Sequence, residues 1–220
     1  MCLQNGLHCS ELAYHGYLAD MTRDLGVIIN SALSFNEHVT KTVSDCLHRL
    51  IRINRIKHLL DRKTLLSLIN AFVFSKLFYC SSVWSNTSKT NVKRLQLVQN
   101  FAGRIVLGLR KYDRISEGLK SLKWLHIADK LFLNDSVMVH KCLIGRAPDY
   151  LSQKFTRRLD LHNRNARNKK NLNLPRCRLT TGQRSFAYRG AACWNSLPKD
   201  LKEVADVRIF KRRLVNMLLA

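Results

Sequence analysis

Two apolar stripes constrain this chain more than anything else in its sequence. Val39, Val43, Cys46, Leu50 and Ile53 recur at spacings of four, three, four and three, which is one face of a helix. Leu95, Val98, Ala102, Ile105 and Leu109 repeat the pattern, flanked by Phe101 and Val106. Residues spaced this way cannot share one side of a strand, whose period is two. The chain must therefore bury the apolar sides of at least two long amphipathic helices. Ile56 and Leu59 leave the first stripe, which predicts a bend or an end there. Leu65, Leu68, Ile69, Phe72 and Val73 predict another helix with an apolar face broad enough to be nearly buried. Ile127, Leu131, Met138 and Cys142 mark a further one, stopping at Gly145 before Pro148, and Val207, Phe210, Leu214 and Leu218 a last. Leu25–Ile29 reads as a short strand, with Ser34 or Asn36 placed to cap the following helix. The expected fold is mainly α: an irregular bundle of five or six helices, a short N-terminal strand, and a small β-hairpin near Leu172–Thr181.

Charge narrows the partners. Among 220 residues, 38 Lys+Arg face 15 Asp+Glu, for a formal net charge of +23. Self-repulsion of that size destabilises a compact state unless a polyanion relieves it. The excess sits in two places: residues 31–110 hold 13 basic and 3 acidic side chains, and residues 156–190 hold 10 and 1. The second segment also carries Asn163, Asn165, Asn168, Asn171 and Asn173 with few apolar residues, so it reads as a basic, poorly ordered arm. Residues 1–24, with one basic and three acidic side chains, share neither the charge nor the periodicity of the helical segments. The expected organisation is a distinct segment 1–24, a helical domain 25–155, the arm 156–190, and a C-terminal helix within 191–220 packing on the bundle.

Several function classes find no support. Cys2, Cys9, Cys46, Cys80, Cys142, Cys177 and Cys193 are scattered without a C-x-x-C pair, so neither a disulfide framework nor a zinc ribbon is expected. The N-terminus Met-Cys-Leu-Gln-Asn-Gly does not read as a signal peptide. A reducing compartment, nucleus or cytoplasm, is expected rather than secretion. Leu65–Ser88 is apolar, yet Lys76 lies mid-span among Ser67, Asn70 and Ser75; a buried helix is expected there and no membrane partner. No G-x-S-x-G, H-E-x-x-H or phosphate-loop glycine pattern occurs, so no catalytic, metal or cofactor site is expected. Cys80 and Cys193, set among aromatics, read as buried thiols, and Trp84, Trp124 and Trp194 as packing anchors rather than base-stacking platforms.

An ordered set of blocks carries a resemblance. Leu25-Gly26-Val27, Leu33-Ser34-Phe35 and His38-Val39 come first, then Tyr79-Cys80 and Trp84. Leu95-Gln96, Gln99-Asn100, Ala102 and Arg104 come next, then Leu122-Lys123-Trp124-Leu125, Ala147-Pro148 and Tyr150-Leu151. Ser185-Phe186, Trp194-Asn195-Ser196-Leu197-Pro198 and Phe210-Lys211 close the set. In this order they resemble the region after the palm in jockey-type, LINE-class reverse transcriptases of non-LTR retrotransposons. The resemblance spans residues 25–215. It implies a helical thumb and C-terminal region that packs beside an upstream palm domain and grips the template–primer duplex. It also implies that the metal-binding carboxylate pair of the polymerase belongs to an upstream Tyr-x-Asp-Asp signature. Tyr17-Leu18-Ala19-Asp20 has one Asp where that signature has two, and it sits too close to Leu25. Asn30 stands where many relatives carry Asp. The expectation is a catalytically incomplete remnant of an RNA-directed DNA polymerase from a mobile element, inactive alone.

Candidate contact residues come from the basic faces. Arg49, Arg52 and Arg55 fall opposite the first stripe, and only Glu37, Asp45 and Asp61 are acidic across residues 31–110. Cations without carboxylates on one face suit phosphate contact, driven by counterion release. Lys93, Gln96, Asn100 and Arg104 line the back of the second stripe, and Arg157, Arg158, Arg164, Arg167, Lys169 and Lys170 lie in the arm. The expected partners are RNA, DNA or an RNA–DNA hybrid, bound through phosphates without sequence readout. The alternative is a helical scaffold or protein-interaction module with no nucleic-acid role.

Overall fold

The computed structural model describes residues 21–158 and 170–219, and the fold is mainly α. It opens on an antiparallel pair, β1 (Met21–Asp24) and β2 (Val27–Asn30), registered Met21 on Asn30 and Asp24 on Val27. Leu25 and Gly26, both at positive φ, make the two-residue turn, as the right-handed twist of a hairpin requires. The sequence places Leu25 in a strand and a hairpin at Leu172–Thr181. Instead the hairpin is here, and Met21–Asp24, assigned to the separate N-terminal segment, is half of it. Tyr79 Oη donates to the Leu25 carbonyl at 3.0 Å and pins this turn.

Helix α1 (Asn36–Ile56) buries Val39, Cys46, Leu50 and Ile53, with Val43 packed at the edge. It stops where the stripe stops, passing into a 3-10 turn over Lys57–Leu59. Phe35, at φ 56°, holds the cap position, and Ser34 Oγ accepts the Asn36 N–H at 3.5 Å; the Asn36 side chain does not cap the helix. Ser34 also pairs with Asn30, and the Asn30 amide donates to Glu37 at 3.0 Å. An Asp at position 30 would set a carboxylate against Glu37, so the Asn fits this chain.

α2 (Arg62–Ile69) is capped by the Asp61 carboxylate and runs through a π-helical turn, Asn70–Phe74, into the short α3 (Ser75–Leu77). Leu65, Ile69, Val73 and Leu77 are buried at every fourth residue, a spacing the wider π turn keeps in phase. The same rotation leaves Phe72 53 % exposed, while Leu66, Leu68 and Phe74 pack partly buried beside the stripe, so the broad apolar face is present without Phe72. After α4 (Ser81–Trp84) comes α5 (Lys89–Leu107), capped by Ser88 and closed by Gly108 at φ 67°. Leu95, Val98, Ala102 and Ile105 are buried along α5, as their spacing predicts; Leu109 falls beyond its end.

α6 (Ser116–Ser121) leads to α7 (Ile127–Leu143), which joins two apolar clusters. Ile127 and Leu131 pack with α1 and α5, while Leu133, Val139 and Cys142 pack with the C-terminal elements. Those are α8 (Asp149–Ser152), α9 (Thr180–Arg184), α10 (Phe186–Ser196), α11 (Lys199–Lys202) and α12 (Val207–Leu219). Phe210 and Leu214 anchor α12. A Cβ on Gly190 would lie 2.9 Å from Val139, so glycine sets how closely α10 approaches α7.

Within the segment 156–190, the residues from Lys170 on pack back onto the helices. Leu172 is fully buried, and Asn195 clips its backbone, accepting from its N–H at 2.7 Å and donating to its carbonyl at 3.0 Å. Leu172 also bridges to Arg157. No described helix is long and apolar enough to cross a membrane.

Candidate nucleic-acid interface

α1 and α5 lie side by side and run parallel. At one end the Asn91 amide donates to Asn36 Oδ1 at 2.7 Å, and Arg94 donates to Thr40 at 2.9 Å. At the other end Asn54 faces Phe101, Arg104 and Ile105 across a cavity. The apolar stripes meet between the helices, so the opposite sides look outward. Arg49, Arg52 and Arg55 are all exposed there. Among the described residues, no carboxylate lies within 4.0 Å of any of these three, nor of Lys93 or Arg104. Lys41 and Asp45 form an ion pair along this helix at 3.3 Å.

The three arginines are not equivalent. Arg49 donates to the Phe72 carbonyl in the π turn, so part of its guanidinium braces α2 against α1. Arg52 and Arg55 have no such tether among the described residues and present whole guanidinium groups. On α5, Lys93 is exposed, but its expected neighbours are structural. Gln96 accepts from the Ile127 N–H at 2.9 Å, completing the N-terminus of α7, and donates to both Gln99 and Asn100 at 2.9 Å. Gln99, part of the ordered blocks but not among the candidate contacts, donates to the Leu125 carbonyl from a buried position. Gln96 is therefore a joint between α5 and α7, and Asn100 is tied to it within α5; both are half-buried.

Arg104 reaches the C-terminal end of the pair, donating to the Asp113 carbonyl at 3.1 Å. It meets Lys57 and Lys111 around the cavity there. The loop after α5 reads Arg110-Lys111-Tyr112-Asp113-Arg114, with Tyr112 88 % exposed. Helical periodicity does not point to this loop. Its composition, a basic run around an aromatic, is the signal that marks it, since such runs suit stacking on bases beside phosphates.

Arg157 and Arg158 are exposed, while Lys170 is paired with Glu203 at 2.6 Å. Arg164, Arg167 and Lys169 lie outside the described residues. Beneath the surface, Asp135 receives Arg189 at 3.0 Å and Ser85 at 2.9 Å. Burial pushes the Asp135 carboxyl above the usual carboxylate range, while Arg189, Ser85 and Ser82 pull it back. Burial likewise pushes the thiols of Cys46 and Cys193 up to about 11, which disfavours the thiolate a nucleophile needs. Cys80, expected to be buried, is exposed. Trp84 and Trp194 are buried and Trp124 packs edge-on to Phe74, all three as anchors. Among the described residues, no three His, Cys, Asp or Glu side chains are placed to hold a metal ion.

Comparison with known proteins gives one point of contact. The chain is 27 % identical over 115 residues to a Drosophila melanogaster protein described as "Probable RNA-directed DNA polymerase from transposon X-element". The match covers 49 % of this chain and 12 % of that protein's length. No protein-family model matches the chain, and no solved structure does.

Proposed function

We propose that this chain is a remnant of an RNA-directed DNA polymerase from a jockey-type non-LTR element, and that it binds nucleic acid through phosphates without reading sequence. The supporting observation is the exposed back of α1, where Arg52 and Arg55 have, among the described residues, no carboxylate within 4.0 Å. Cations arranged this way release counterions on meeting a polyanion. A solvated structural surface of this size would carry interspersed acids. The likeness to the transposon polymerase, together with the ordered blocks, supports the parentage. In this reading residues 25–155 form a thumb-like domain whose partner in the parent protein is an upstream palm. The remnant alone carries no polymerase chemistry.

The alternative, a helical scaffold, has no single observation in its favour. Titration of a labelled RNA–DNA hybrid separates the two readings, with an unrelated hybrid sequence and anionic phospholipid vesicles as competitors. The unrelated hybrid is expected to compete as well as the labelled sequence itself, and vesicles far more weakly. Absence of hybrid binding, or vesicles competing equally, overturns the proposal.

A further inference from the structure

At the C-terminal end of the α1–α5 pair lies a cavity of about 450 Å³, within the roughly 300–1,000 Å³ that small-molecule sites occupy. Phe101 and Leu109 give it an apolar floor. Lys57, Arg104 and Lys111 supply three cations, and Asn54 supplies an amide. No carboxylate lines it; the nearest in the sequence, Asp113, accepts the Arg110 N–H at 2.7 Å. Arg104 Nε is buried there and donates to nothing among the described residues, a cost that a bound acceptor would remove. Both helices end here, and each C-terminus contributes roughly half a negative charge. Three full positive charges outweigh the two half-charges, so the site still favours an anion. Just outside, Tyr112 is 88 % exposed with the Lys111 ammonium 5.4 Å from its ring.

A bare phosphate would use the cations and waste the apolar floor. A nucleoside monophosphate uses both. We propose that this cavity takes one nucleotide, its phosphate among Lys57, Arg104 and Lys111 and its base over Phe101 and Leu109, either as a free mononucleotide or as one unit of a strand. For the strand, the proposal rests on the phosphate-contact reading of the α1–α5 face. The pocket chemistry is tested separately.

The experiment titrates the full chain with adenosine 5′-monophosphate, adenosine and inorganic phosphate, followed by calorimetry, for the native protein and for Lys57→Ala/Lys111→Ala. Lys111 is exposed and Lys57 half-buried, and neither is paired with a carboxylate among the described residues, so the double variant is expected to keep its melting temperature. The monophosphate is expected to bind at least about tenfold tighter than either fragment, since both halves of the site contribute. The double variant is expected to lose about tenfold in that affinity. Equal binding of phosphate and monophosphate, or a double variant unchanged, overturns the proposal. The same two proteins are then titrated with the RNA–DNA hybrid. Steep salt-dependent hybrid binding without monophosphate binding sinks the pocket and leaves the broader reading intact. Monophosphate binding without hybrid binding does the reverse.

Discussion

Around α1 and α5 the packing comes from two long repeated stripes; around α10 and α12 single polar clips are added to an apolar cluster of scattered residues. The first region stacks two long apolar stripes, Val39 to Ile53 against Leu95 to Ile105. The second uses short helices held by particular contacts. Asn195 grips the Leu172 backbone, the Trp194 indole donates to the Lys170 carbonyl at 3.1 Å, and His140 Nε2 meets the Val204 carbonyl at 2.7 Å. His140 also stacks on Phe210 with ring centroids 4.3 Å apart. The charge has the same division. In the first region Lys41 pairs with Asp45 while Arg52 and Arg55 meet no carboxylate among the described residues, whereas in the second Lys170, Arg189 and Arg208 meet carboxylates. In the first region Arg49 is tied to the Phe72 carbonyl, while Arg52 and Arg55 on the same exposed side make no such bond among the described residues.

Four measurements test that division. The largest expected effect is at the joint between the regions. Asp135→Ala leaves Arg189 partly buried without its carboxylate, and loss of one partner of a buried pair costs about 3–5 kcal/mol. Urea denaturation reads this directly, and a loss below about 1 kcal/mol would show that the pair does not bind the halves together. Next is Asn195→Ala, which strands the Leu172 N–H and carbonyl in a buried site at a cost of about 1–3 kcal/mol. Faster trypsin cleavage at Lys170 is expected to accompany it; unchanged stability and cleavage would mean the clip is decorative.

The third change separates binding from folding. Arg52→Glu/Arg55→Glu alters exposed positions and keeps good helix formers, so stability is expected to stay within about 0.5 kcal/mol. Hybrid affinity is expected to fall roughly tenfold or more through lost phosphate contacts. The control is Lys199→Glu/Arg212→Glu on the second region, both exposed, where a smaller loss is expected. Equal losses would make net charge alone the determinant.

The smallest effect is a pH response. Burial, helped by Lys76, holds the His38 pKa below its ordinary value, and Nδ1 accepts the Ile28 N–H of the hairpin at 3.3 Å. The unfolded chain therefore takes up the proton first. Stability from this group is complete above the unfolded value of roughly 6.5 and is lost as pH falls from there toward the folded value. Urea midpoints at pH 7.5 and 5.5 are expected to drop more for the native chain than for His38→Gln. A matching drop in both would assign the acid sensitivity elsewhere.

How much of this the sequence carries divides along the same line. The two stripes, the end of α1 at Ile56, the α7 helix and its stop near Gly145, and the Phe210–Leu214 anchor are all periodic or glycine-marked, and they are legible. Phe72 misleads because a π turn rotates it outward, and no residue type announces such a turn. The hairpin turn at Leu25–Gly26 reads as strand because leucine rarely takes a positive φ. Asn171 and Asn173 look like the composition of an arm, whereas the buried Leu172 between them depends on Asn195, far away in sequence. On the face itself, the exposure of Arg52 and Arg55 is legible from the stripe opposite them. Gln96 is recognisable as a joint only from the start of α7 against it.

The most direct test of the central claim is the salt dependence of hybrid binding. If roughly six phosphates are neutralised, log K against log salt falls with a slope near −5. Arg52→Glu/Arg55→Glu makes the slope shallower by about two. The account predicts both numbers from one set of titrations; a flat salt response in the native chain contradicts it.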